Sequence, residues 1–126
     1  MKAETGEWVS KAEGNWRVAG REIQTGNPVY DIVCFLAQQC TEQYLKAFLE
    51  EHGIAFRKTH DLVVLYNSSA GLLTELDTSQ AELAYLGTLG IAARYPGTEA
   101  TQPDAEDAMR IAQEVRATVR LKLGIS

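Results

Sequence analysis

The sequence predicts an all-α protein, a four-helix-bundle-like up-and-down domain with about five helices. Apolar residues recur throughout at steps of three and four, the spacing of one helix face. Proline occurs only at Pro28, Pro96 and Pro103, so three long intervals are free of strong helix breakers. At 126 residues the chain is long enough for one core and too short for two, so residues 1–126 are expected to form a single domain.

Trp8, Ala12, Trp16, Ala19 and Ile23 form one stripe, predicting a first helix from about Glu7 to Glu22. Gly26-Asn27-Pro28 then breaks the chain, with Asn27 the expected N-cap and Pro28 the first residue of the next helix. That second helix is expected over Val29 to His52, about 36 Å long at roughly 1.5 Å per residue. Val33, Leu36, Ala37, Cys40, Tyr44, Ala47 and Phe48 keep its register, and Gly53 follows as a stop signal. Ile32, Phe35, Leu45 and Leu49 widen its apolar surface beyond one stripe. In so small a domain that excess predicts a homodimer, with Phe35, Leu45 or Leu49 at its interface.

A short third helix is predicted to begin around Thr59 to Asp61, to carry Leu62, Leu65 and Tyr66, and to end near Asn67-Ser68-Ser69. Ser79-Gln80-Ala81-Glu82 has the pattern of a capping box and opens a fourth helix through Leu83, Leu86, Leu89 and Ala93. Gly87 and Gly90, three apart, predict a close approach of another backbone. Tyr95-Pro96-Gly97 ends this helix. Pro103, Asp104 and Glu106 open a fifth, with core positions Ala108, Ile111, Ala112, Val115 and Val119 and a stop at Gly124.

No stretch is long and apolar enough to cross a membrane, and the residues after Met1 lack the apolar run of a signal peptide, so a cytoplasmic address is expected. Cys34 and Cys40, six positions apart on one helix, fall on different faces and are expected to be unbridged core residues. A net charge of −5 argues against wholesale coating of nucleic acid. Arg110, Arg116, Arg120 and Lys122 crowd the last seventeen residues, where they complement a helix dipole or form a local basic patch.

Phosphate-binding glycine loops, Cys-x-x-Cys and His-Glu-x-x-His motifs are missing, and with only His52 and His60 a multi-histidine metal site is excluded. No metal or cofactor is expected. Arg57-Lys58-Thr59-His60-Asp61 instead places cations, a hydroxyl, an imidazole and a carboxylate at the mouth of the third helix, where an anion or nucleotide could bind. The plainer alternative is that Thr59 or Asp61 caps the helix while His60 bonds a neighbouring carbonyl or carboxylate. Arg94-Tyr95 is a second candidate, with a helix-end and packing role as its alternative. Gln38, Gln39, Glu42 and Lys46 form a polar ladder within the apolar second helix. Glu42 and Lys46 read as a surface pair, while Gln38 could reach across a helix interface.

Ala37-Gln38-Gln39-Cys40-Thr41-Glu42-Gln43-Tyr44-Leu45-Lys46-Ala47, then Thr59-His60-Asp61-Leu62, then Ala93-Arg94-Tyr95-Pro96 resemble, in order and spacing, the three signature stretches of HEPN domains. Trp8 and Ala12 suit that family's first helix. The resemblance implies a helical, commonly homodimeric protein, often encoded beside a minimal nucleotidyltransferase as a two-component or toxin–antitoxin pair. Some members are metal-independent ribonucleases with an Arg followed after four to six residues by His. Here only two residues separate Arg57 from His60, and no histidine follows Arg94, so the chain resembles the branch without that motif. The expected function is therefore non-catalytic: binding of a nucleotide or RNA, or service as the nucleotidyltransferase's partner subunit, through Arg57, Lys58, Thr59, His60, Asp61, Arg94 and Tyr95. A ribonuclease toxin with an atypical Arg and His arrangement, and an assembly module with no small ligand, are the alternatives.

Overall fold

Both ends of the domain are tied by local chemistry that the chain carries at helix boundaries. In this computed structural model, which describes residues 1–76 and 80–125, five helices appear in order: α1 (Ala3–Ile23), α2 (Tyr30–Glu51), α3 (Leu62–Asn67), α4 (Gln80–Ala92) and α5 (Gln102–Lys122). No β-strand occurs among the described residues. At the end of α2, Ile54 N–H bonds the Leu49 carbonyl and Gly53 N–H that of Glu50, with Gly53 at φ +65°. The end of α5 repeats the arrangement with Gly124 at φ +73°. Both are glycine-stopped Schellman ends, as the sequence predicts. Thr101 and Asp104 form a reciprocal capping box at the start of α5.

Side-chain bonds between helices fix their directions. Lys2 N–H donates to Glu51 and Asn15 to Gln43, so α1 runs antiparallel to α2. Asp31 accepts from Ala100 N–H and Tyr44 from Arg120, so α5 runs parallel to α2. Tyr85 meets Asp104 and Asp107 while Glu82 meets Arg110, which makes α4 antiparallel to α5. The four long helices thus alternate in direction in the up-and-down manner expected.

Helix α2 packs against each of the other four. Its central place explains its all-round greasiness and corrects one expectation: Leu45 and Leu49 are each 1% exposed inside the single chain, so neither can serve a dimer interface. Ile32 remains exposed and Phe35 is only half-buried. Three local expectations also change. Helix α1 begins four residues earlier than the apolar stripe shows, because Lys2 docks on the end of α2 through its backbone N–H and through its ammonium to the Glu50 carbonyl. Val29, not Asn27, caps α2, and it does so without a side-chain bond, while its own N–H is taken by Glu22. Gly90 meets α2 so closely that a Cβ there would lie 2.8 Å from the Gln38 Cβ, whereas Gly87 faces open space. The expected capping box at Ser79 lies outside the described residues.

Candidate ligand-binding cleft

The connection between α2 and α3 is shaped by short polar side chains. Asp61 N–H donates to Thr59 Oγ1 at 3.1 Å, and Asp61 Oδ1 accepts from Val63 and Val64 N–H at 3.0 and 3.2 Å. Asp61 is therefore the N-cap of α3. Its carboxylate takes the backbone donors that the sequence offered to an anion, and a six-residue helix has little dipole to add. Any anion site here must be built from side chains.

Those side chains converge on Glu42. Its carboxylate, on a residue only 4% exposed, meets Lys46 Nζ at 2.9 Å, His60 Nδ1 at 2.9 Å and Gln38 Nε2 at 3.1 Å. Lys46 is 7% exposed and its ammonium also lies 5.3 Å from the Trp8 ring centroid. The Glu42–Lys46 pair is thus buried, not the surface pair expected; α1 and the α2–α3 connection cover that part of α2. Each charge of a buried pair is tolerable because the other is present and the remaining lone pairs are bonded. A carboxylate only accepts, so His60 Nδ1 is the donor in this contact. The His60 side chain is 74% exposed, an imidazole tethered at one nitrogen. Gln38 also reaches the His60 carbonyl at 3.4 Å while packing on Gly90, so it does bridge helices.

Beside this network lies a cleft of about 430 Å³ between α2, α3 and α4. Gln38, His60, Asp61 and Arg94 supply its polar lining, and Val63, Leu83 and Ile91 are among its apolar walls. The Arg94 guanidinium sits 5.6 Å from the Phe35 centroid, a cation–π contact that holds it at the rim without an ion-pair partner among the described residues. Of the residues expected from sequence, His60, Asp61 and Arg94 are brought together here. Thr59 shapes the turn. Arg57, Lys58 and Tyr95 are exposed and lie outside the cleft lining. Such a volume suits a small molecule.

A second polar cluster joins α1, α2 and α5. Arg116 holds Glu13 through two bonds, Nε to Oε2 at 2.7 Å and Nη2 to Oε1 at 2.8 Å, and Tyr44 donates its hydroxyl to the same carboxylate. The Arg116 bond holds the Glu13 carboxyl below the usual range, and burial pushes the Tyr44 phenol up. Nothing near Glu13 in sequence signals this, since Arg116 lies 103 positions away. The C-terminal cations are consequently paired and make no basic patch: Arg110 with Glu82, Arg116 and Arg120 with Glu13, Lys122 with Glu75. Cys34 and Cys40 are free and buried, and desolvation pushes both thiols up to about 12. Among the described residues no group of three or more His, Cys, Asp or Glu could hold a metal ion. None of the described helices is long and apolar enough to cross a membrane.

An alternating helical bundle whose polar centre lies between α2, the α2–α3 connection and the end of α4 defines the class of the protein. The model of the HEPN domain matches residues 5–122, and the chain belongs to the HEPN family. The crystal structure of an archaeal HEPN homologue is similar in fold, with a TM-score of 0.69 and 24% identity over 98% of this chain and 99% of that one. No curated protein sequence matches. The three stretches that carry the resemblance, around Gln38, His60 and Arg94, all contribute to one cleft.

Proposed function

We propose that this HEPN protein is non-catalytic and binds a nucleotide, or a nucleotide within RNA, in the cleft between α2, α3 and α4. The observation that carries the reading is the placement of His60 and Arg94 around one half-apolar cavity. An anionic group would sit between the imidazole and the guanidinium, and a base against Val63, Leu83 and Ile91. Arg57 and Lys58 contribute attraction from outside the lining. In keeping with paired HEPN systems, the protein acts as a homodimer beside a minimal nucleotidyltransferase partner.

A ribonuclease is the second reading, and one contact favours it: Glu42 holds His60 through Nδ1 while the imidazole stays largely exposed, as a proton-transfer group must. Against it stands the sequence, which lacks the Arg-to-His spacing of ribonuclease relatives. Calorimetric titration with mononucleotides and a short RNA, at two salt concentrations, tests the first reading. Arg94→Ala should weaken binding by roughly 1.5–3 kcal/mol, the range of a charged hydrogen bond, with little change in stability. RNA cleavage that His60→Ala abolishes would establish the second reading. An inert protein with no ligand would leave an assembly module.

A further inference from the structure

A second groove, of about 410 Å³, lies where the start of α1 meets the end of α2 and the residues after it, and shares no lining residue with the cleft above. Trp8 and Phe56 form its apolar part, their rings edge to face with centroids 6.3 Å apart. Both remain only partly buried although they pack on the core. Glu4, Glu7 and Glu50 border the groove, with Lys11 the cation in its lining and the Lys2 ammonium bonded nearby to the Glu50 carbonyl at 3.0 Å. None of these three carboxylates forms an ion pair among the described residues, in contrast to Glu13, Glu42 and Glu75. The Trp8 ring already accepts one cation, since Lys46 lies 5.3 Å from its centroid with its charge balanced by Glu42.

An anion is repelled by this border, and a purely apolar segment would strip water from carboxylates it cannot pair. A planar guanidinium satisfies both features at once, because it lies against an aromatic ring while its edge donates to carboxylates. Lysine does this less well, as its compact ammonium is more strongly hydrated. We infer that the groove between Trp8, Phe56 and the three carboxylates docks an arginine-bearing peptide segment of a partner protein. The charge complementarity identifies the occupant, and the groove shares no lining residue with the cleft of His60 and Arg94.

Amide and indole chemical shifts of the protein, followed during titration with a capped pentapeptide containing two arginines, test this. Saturable shifts at the Trp8 indole N–H and around Phe56 are expected. The same peptide with citrulline for arginine keeps the shape and removes the charge, and should bind roughly fivefold or more weakly. Glu7→Gln combined with Glu50→Gln should weaken the arginine peptide by a similar factor. The inference is overturned if no saturable shift appears at millimolar peptide, if citrulline binds equally, or if the Trp8 shifts survive the double glutamine variant. The citrulline comparison uses only the unaltered protein, so a folding defect in the variant cannot rescue or sink the idea.

Discussion

Glu42 shows how one residue can join stability to site geometry. It holds Lys46 and His60 on separate carboxylate oxygens, the first buried and the second facing the cleft. Glu42→Ala leaves the Lys46 ammonium buried without its partner, so about 3 kcal/mol or more of stability should disappear, measured by urea unfolding. A loss under about 1 kcal/mol would mean that the pair is hydrated and contributes as a surface pair does. Glu13 makes a pH forecast. Its folded-state pKa is depressed below the ordinary carboxylate value of 4.5, so its contribution is present above that value and is lost as pH falls through the lower folded value. The stability gap between wild type and Glu13→Gln should therefore be widest near neutrality and narrow below about pH 4.5; a gap that stays constant into strong acid would contradict this. At this scale sequence was partly legible. His60, Asp61 and Arg94 stand out by type and place, and the polar ladder on α2 was visible. What sequence could not tell is that Glu42 and Lys46 face inward, because an i,i+4 pair has the same spacing whether exposed or covered.

Among the helices, the closest approach decides the packing. Gly90 lies against the Cβ and Cγ of Gln38, and the Cβ is fixed by the α2 backbone, so it cannot swing away. Gly90→Ala should destabilise by about 1–3 kcal/mol, the usual cost of forcing an extra carbon into a packed interface. Gly87→Ala adds a methyl to open space within a helix and should stabilise by about 0.5–1 kcal/mol. Thermal melts of the two variants check the pair; equal shifts in both would mean α4 can slide on α2. The glycine spacing made both residues equal candidates, and only the rotation of α4 separates them. Helix ends with a glycine stop were legible because the signal is local. The start of α1 and the cap of α2 were not, since they depend on Glu51, Glu50 and Glu22 reaching across from other elements or the preceding helix.

In the molecule as a whole, one central helix surrounded by four others accounts for most of the core, and a sequence with sustained three-and-four periodicity makes that architecture legible. The inference from excess apolar surface to a particular interface fails for Leu45 and Leu49, as periodicity cannot distinguish burial within a chain from burial between chains. The homodimer we propose must instead use apolar side chains left exposed outside the cleft lining, among them Ile32 and Tyr95. Light scattering should give a dimer that Ile32→Asp dissociates without unfolding; a wild-type monomer at high micromolar concentration would remove dimerisation from the account.

The central claim is that the cleft holding His60 and Arg94 is the ligand site, and mapping a mononucleotide by amide chemical shifts tests it most directly. Saturable shifts should cluster at Gln38, His60, Val63, Leu83, Ile91 and Arg94, and should collapse in Arg94→Ala while that variant keeps the wild-type melting temperature. Shifts centred elsewhere, or a cluster at the cleft that Arg94→Ala leaves intact, would contradict the assignment.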